Sequence, residues 1–129
     1  WRSGFDTAHP TYRWIQQLSD VRRRHLALRR GEQRIVYATE RNGDEPDAGM
    51  IAYERTGGDA GSDYALVVMN TNRDHESETA FEGQPMVVSA APGTRLVDAM
   101  SGAEVTVQAD GLLSVRLAPL TVAILVAEP

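Results

Sequence analysis

A histidine between two acids is raw material for a metal or acid–base site, and the chain contains one such run, Asp74-His75-Glu76. Neighbouring residues of an extended segment point to opposite faces, and metal ions need convergent ligands, with no second histidine nearby to supply one. The run therefore reads as a solvated loop. Asp59 and Asp63, in the segment 57–63 (GGDAGSD), would suit calcium by charge, but the alternating ligand spacing and bidentate glutamate of a calcium loop are missing. Asp98, just ahead of Ser101-Gly102, is the best-placed lone carboxylate, and an aspartate there ordinarily bonds the amides of its own turn. Serine, histidine and aspartate all occur, without the spacing of a nucleophile elbow. The rings a sugar could stack on are Trp1, Trp14, Tyr37, Tyr53, Tyr64 and Phe81. Aromatics are only 6% of the chain, and strand tyrosines serve more often as core or cross-strand pairs, so a sugar platform is the lesser reading. No catalytic residue, metal ligand or cofactor site is assigned, and sugar-binding residues are left open.

The elements that would position these groups begin with residues 9–31, HPTYRWIQQLSDVRRRHLALRRG, the one long helical pattern. Trp14, Leu18, Val21, His25 and Leu28 follow at spacings of four and three and share one stripe. Tyr12, Ile15 and Leu26 lie beside it, making the apolar arc wider than one covered surface requires. His25 reads as a hydrogen-bonded histidine at an interface. Pro10 suits the first turn and Gly31 a left-handed closing position. Arg22, Arg23, Arg24, Arg29 and Arg30 crowd the end, where they oppose the negative pole of the helix dipole. That basic cluster reads as a solvated face.

After Gly31 the apolar period falls from 3.6 to 2, which sets a boundary between residues 1–31 and 32–129. Strands are predicted over 34–40, 50–55, 64–71, 79–81, 86–89, 94–99, 104–108, 112–117 and 121–127, with turn chemistry at 41–46, Ser101-Gly102 and Asp110-Gly111. Residues 57–63 are expected to form a mobile hairpin tip. The unbroken apolar run inside 64–71 predicts a central strand buried on both faces. Leu66, Val68, Leu96, Val115, Val122 and Ile124 are the expected core. About eight strands with turns between them predict an all-β fold, an antiparallel Greek-key β-sandwich preceded by one N-terminal α-helix.

Composition narrows the partners. A net charge of −5 with pI near 5.1 excludes the basic surface that nucleic acid requires. No apolar run approaches the roughly 20 residues of a membrane span. The absence of cysteine removes disulfides and thiolate metal sites and leaves the compartment open. The opening at Trp1, without methionine, suggests an excised piece or a processed product.

Four stretches together carry a family likeness: HPTYRWIQQLSDVRRRHLALRRG at 9–31, YALVVMN at 64–70, LVDAMSG at 96–102 and LAPLTVAIL at 117–125. In order and spacing they resemble the end of alpha-amylases and related enzymes of glycoside hydrolase family 13. The resemblance implies that residues 1–31 are the loop and final helix of a catalytic (β/α)8 barrel, and that 32–129 form the C-terminal β-sandwich. The barrel, of about 250 residues, does not fit in 129, so its carboxylates would lie upstream. The implied role is non-catalytic, capping and stabilising that barrel. The parent enzyme would be a glycosidase or transglycosidase of α-glucans such as starch and maltodextrins. A carbohydrate-binding module and a protein-interaction sandwich are the alternatives. Without a barrel, the wide arc of the helix predicts either a fold-back onto the chain's own sandwich or, preferentially, a homodimer through the helix.

Overall fold

The computed structural model describes residues 4, 6–59 and 62–127. Trp1 and the tip residues 60 and 61 of the 57–63 segment lie outside them. The helical pattern yields two helices, α1 (Pro10–Arg24) and α2 (Ala27–Arg30). His9 caps the first by accepting the Thr11 N–H at Nδ1, 3.2 Å away, and Pro10 occupies the first turn as expected.

The expected single helix over 9–31 is broken at His25 and Leu26, because tertiary partners outbid the helical ladder there. An unbroken helix would give the Ala27 N–H to the carbonyl of Arg23, but Asp63 Oδ2 takes it at 2.8 Å. Arg55 then closes α2, Nε donating to the Ala27 carbonyl and Nη2 to the Gly31 carbonyl, each at 2.8 Å. Gly31 itself is extended (φ −70°, ψ 155°) and not left-handed. A side chain is excluded for another reason: a Cβ there would sit 2.4 Å from the Ala27 carbonyl oxygen and 2.6 Å from that of Thr56.

The strands are β1 (Glu32–Ala38), β2 (Met50–Gly57), β3 (Asp63–Asn70), β4 (Ser77–Glu78), β5 (Ala80–Phe81), β6 (Gln84–Val87), β7 (Arg95–Asp98), β8 (Glu104–Thr106), β9 (Leu112–Leu113), β10 (Arg116–Leu117) and β11 (Thr121–Ala127). The predicted segment 112–117 splits into β9 and β10, which join different partners; the predicted 79–81 yields β5, and β4 before it was not predicted. One six-stranded antiparallel sheet runs β1-β2-β3-β11-β7-β8; facing it are β10-β4 and β5-β6-β9. The fold is an all-β sandwich with an N-terminal helical element, as the pattern of periods predicts.

The large sheet has two apolar faces. Met50, Ala52, Leu66, Val68, Leu96, Ala123 and Leu125 pack inward against Met86, Val88, Val107, Leu113 and Val115 of the second layer. Ala65, Val67, Ile124 and Val126 face the other way, toward Val21 of α1 and Ala27 of α2. This double burial explains why β3 lacks alternation, and β3 does lie inside its sheet, between β2 and β11. Of the predicted core, Leu66, Val68, Leu96, Val115 and Ile124 are buried, Ile124 on the helix side; Val122 is half-buried on that side. Its neighbours in the helical layer leave it partly open, so alternation alone misplaced it.

α1 meets the sheet only by its second half. Leu18, Val21 and, beyond the break, Leu28 pack on the sheet, while Tyr12, Trp14 and Ile15 are 38%, 43% and 57% exposed. The fold-back contact is therefore made by part of the stripe and leaves the rest exposed. No helix among the described residues is long and apolar enough to cross a membrane.

Candidate functional site

Acid–base chemistry on a glycosidic bond needs two carboxylates on a cleft, one of them held protonated by an environment that raises its pKa. Of the three buried carboxylates among the described residues, Asp47, Glu54 and Asp98, the first two are tuned in the opposite sense. Asp47, fully buried, receives Arg41 through Nε (2.8 Å) and Nη2 (2.5 Å) and the Tyr37 hydroxyl at 2.7 Å. Those Arg41 hydrogen bonds outweigh burial and hold its carboxyl at about 2, against an ordinary 3.8. Burial and Asp47 together push the Tyr37 phenol up to about 12.

Glu54 accepts from Arg34 Nε at 2.7 Å, the Ser89 N–H at 2.9 Å and the Tyr64 hydroxyl at 3.1 Å. Burial alone would raise Glu54, but the Ser89 amide and the Arg34 guanidinium prevail and keep it below its usual value. Burial, then the Glu54 charge, drives the Tyr64 phenol upward. Both carboxylates are thus anions clamped by cations and hydroxyls, fit to fix strands and unfit to donate a proton. Neither was singled out from sequence. Glu54 had a signal, since Met50, Ala52 and Glu54 share the inward phase of β2; Asp47 lies in a connection where polar residues are ordinary.

Of the carboxylates that were singled out, Asp98 and Asp63 are occupied. Asp98 accepts the Ile124 N–H (2.9 Å) and Met100 N–H (3.2 Å) at Oδ1, and at Oδ2 the Ser101 N–H (3.2 Å) and hydroxyl (2.5 Å), the turn role expected of it. Asp63 holds the Ala27 N–H and stands 3.6 Å from His25 Nδ1, so the interface histidine and this aspartate meet at the helix break. Asp59 is exposed. Among the described residues no group of three or more histidine, cysteine or acidic side chains is placed to hold a metal ion. Asp74 and Glu76 are exposed as expected, Glu76 facing Arg116 at 3.4 Å, but His75 is drawn inward onto backbone.

The rings separate in the same way. Tyr64 is buried, and Tyr37, Tyr53 and Phe81 are half-buried. Phe81 carries the Arg41 guanidinium on one face, 3.6 Å from its centroid, which removes that face from any stacking sugar. An open groove of about 710 Å³ runs past Tyr37, Arg41, Phe81, Gln84 and Val87, with Glu82 its one carboxylate. A second, of about 400 Å³, lies between Trp14, Met100, Leu117, Leu120 and Val122. Leu120 is 63% exposed and left-handed at φ 52°, a conformation that costs a leucine energy unless surroundings impose it. Its N–H is fixed by the Asn72 carbonyl at 3.0 Å.

The antiparallel sandwich with a helical element on one outer face is a fold shared with parts of solved enzymes. Among solved structures the chain is similar to an Anoxybacillus alpha-amylase, described as representing a new glycosyl hydrolase subclass, with TM-score 0.71 and 20% identity over 98% of this chain. It is similar also to the gamma-CGTase of alkalophilic Bacillus clarkii, with TM-score 0.70 and 21% identity over 98% of this chain. It spans 24% of the first and 17% of the second. No family model and no curated protein sequence matches it.

Proposed function

We propose that the chain is the non-catalytic C-terminal domain of an alpha-amylase-like glycoside hydrolase acting on α-glucans. Residues 1–31 complete the catalytic barrel on this reading, and residues 32–129 cap and stabilise it. The observation that carries the reading is the uncovered half of α1: Tyr12, Trp14 and Ile15 continue an apolar stripe whose other end, at Val21, is already buried on the sandwich. A helix with two apolar partners belongs between two domains. Covering each large side chain is worth about 1.5–3 kcal/mol, the scale of a stabilising domain contact.

The isolated chain should release no reducing sugar from starch or from a nitrophenyl maltoside. Turnover that survives repurification and vanishes on one carboxylate substitution within the chain would overturn the proposal. In the parent enzyme, Trp14→Ser with Ile15→Glu should lower the melting temperature of the barrel while leaving the fold of the isolated chain intact; an unchanged barrel would count equally against it.

Two other partners have the same patch in their favour. α-Glucan binding would use the Trp14 ring beside the smaller groove, and maltoheptaose would then shift its indole signal saturably; capping alone predicts no shift. A second copy would cover the patch in the absence of a barrel. Sedimentation of the isolated chain at micromolar concentration should show a dimer that Ile15→Glu returns to monomer. The site of substitution must be Ile15 and not Val21, because Val21 belongs to the chain's own packing.

A further inference from the structure

His75 sits in the connection between β3 and β4, and its ring touches backbone at both nitrogens. Nδ1 is 2.7 Å from the Glu76 carbonyl oxygen and 3.3 Å from Ser77 Oγ. The Ser77 hydroxyl already donates to the Ala48 carbonyl at 2.8 Å, so toward Nδ1 it offers a lone pair. Both neighbours accept, and Nδ1 must carry a proton. Nε2 has one neighbour of each kind: the Gly43 carbonyl oxygen at 2.5 Å, which only accepts, and the Asn72 amide nitrogen at 2.9 Å, which only donates. The Asn72 amide is oriented by its own oxygen, which accepts the Asp74 N–H at 2.8 Å. A protonated Nε2 can therefore bond only Gly43, and a bare Nε2 only Asn72.

We infer that His75 is a proton-operated clamp on the connection between β1 and β2. The imidazolium donates through Nε2 to the Gly43 carbonyl and ties that connection to the one between β3 and β4; the neutral ring, keeping its Nδ1 proton, takes the Asn72 amide and leaves Gly43 only that amide's longer contact at 3.4 Å. The charged groups facing the ring are Asp44, from the clamped connection, and Asp74, from its own; Glu76 is turned toward Arg116. The Glu76 and Gly43 carbonyls, followed by these acids, raise the ring above the ordinary 6.5. A group raised by folding stabilises the fold fully below its unfolded value, so the clamp is closed below about pH 6.5 and opens as pH rises through the higher folded value. Asn72 also holds the N–H of exposed Leu120 through its carbonyl, which places the switch one residue from the patch beside Trp14.

Ring-nitrogen NMR of the labelled chain between pH 5 and 9 tests this. Expected are a His75 midpoint above 6.5, an Nδ1–H tautomer at the alkaline end, and an Asp44 amide proton that moves with the same midpoint because the Gly43 carbonyl belongs to its peptide. His75→Gln should abolish the Asp44 transition, and Asn72→Ala, which removes the partner of the neutral ring, should move the His75 midpoint further up. A midpoint at or below 6.5, an Nε2–H tautomer at high pH, or an Asp44 amide that ignores the titration would overturn the clamp. Should either variant fail to fold, the wild-type titration decides alone.

Discussion

Val68→Asp should leave the chain unfolded. Val68 has no exposed surface, stands between Ala52 of β2 and Ala123 of β11, and projects into the layer shared with Leu66, Leu96 and Leu125. Polar groups of that core are already taken, Tyr64 by Glu54 and Glu54 by Arg34 and Ser89. A carboxylate placed there has neither water nor a cation. Its burial costs several kcal/mol, a large part of the about 5–15 kcal/mol that holds an ordinary domain together. The matching control is Val87→Asp, the same chemistry at a site 52% exposed on β6. The expected pair of results is a chain without cooperative melting for the first and a near-normal melt for the second. A soluble Val68 variant with a sharp transition would mean that β3 is not the centre of the sandwich.

β3 was readable because two covered faces leave a plain mark in sequence, a run of apolar residues with no alternation. The end of the helix was not. Its stripe continues through His25 to Leu28 without interruption in the sequence, and the break is imposed by Asp63 and Arg55, which approach from strands more than 25 residues away. Helical periodicity reports which face a segment buries; it carries no information on a carboxylate from elsewhere that competes for one N–H. Gly31 shows the same limit: the residue type was informative, but the constraint is contact with the Ala27 and Thr56 carbonyls and not the sign of φ. The splitting of 112–117 into β9 and β10 has a similar origin, since the segment changes partners midway and no local signal marks the change.

The polar sites divide along the same line. Asp98 satisfies groups within three residues of itself, together with the Ile124 N–H, and the local part of that role is what an aspartate before Ser-Gly announces. Asp47 and Glu54 serve partners brought together by the fold, and only the inward phase of Glu54 hinted at its burial. Among the buried acids described, Asp47 is lowered chiefly by Arg41 and Glu54 by the Ser89 amide and Arg34, while Asp98 is bonded by backbone amides and the Ser101 hydroxyl.

Asn70→Asp should be the most damaging substitution that changes almost no volume. Asn70 ends β3 at 2% exposure, and its amide nitrogen lies 3.2, 3.0 and 3.1 Å from the carbonyls of His75, Leu117 and Ala118. Its oxygen accepts the Asn72 N–H at 2.8 Å. One side chain thus joins the end of β3 to the connection before β4 and to the one before β11. In the aspartate the donor becomes an oxygen aimed at three others. Each buried carbonyl left without a partner costs about 1–3 kcal/mol, and an ionised carboxylate against them adds repulsion, for a loss of roughly 3–5 kcal/mol at neutral pH. Asn70→Ala, which loses the bonds without adding charge, should fall between the aspartate and the wild type. The sign of the pH dependence separates the two causes. An aspartate surrounded by acceptors has its folded pKa raised, so its penalty is complete at neutral pH and fades as acidity approaches the ordinary value of about 3.9, where protonation restores one donor. Urea unfolding at pH 7 and pH 4.5 should therefore show the aspartate variant gaining on the alanine variant as pH falls. Equal stabilities for Asn70→Asp and wild type at pH 7 would remove Asn70 from its place as the hub of that end of the sandwich.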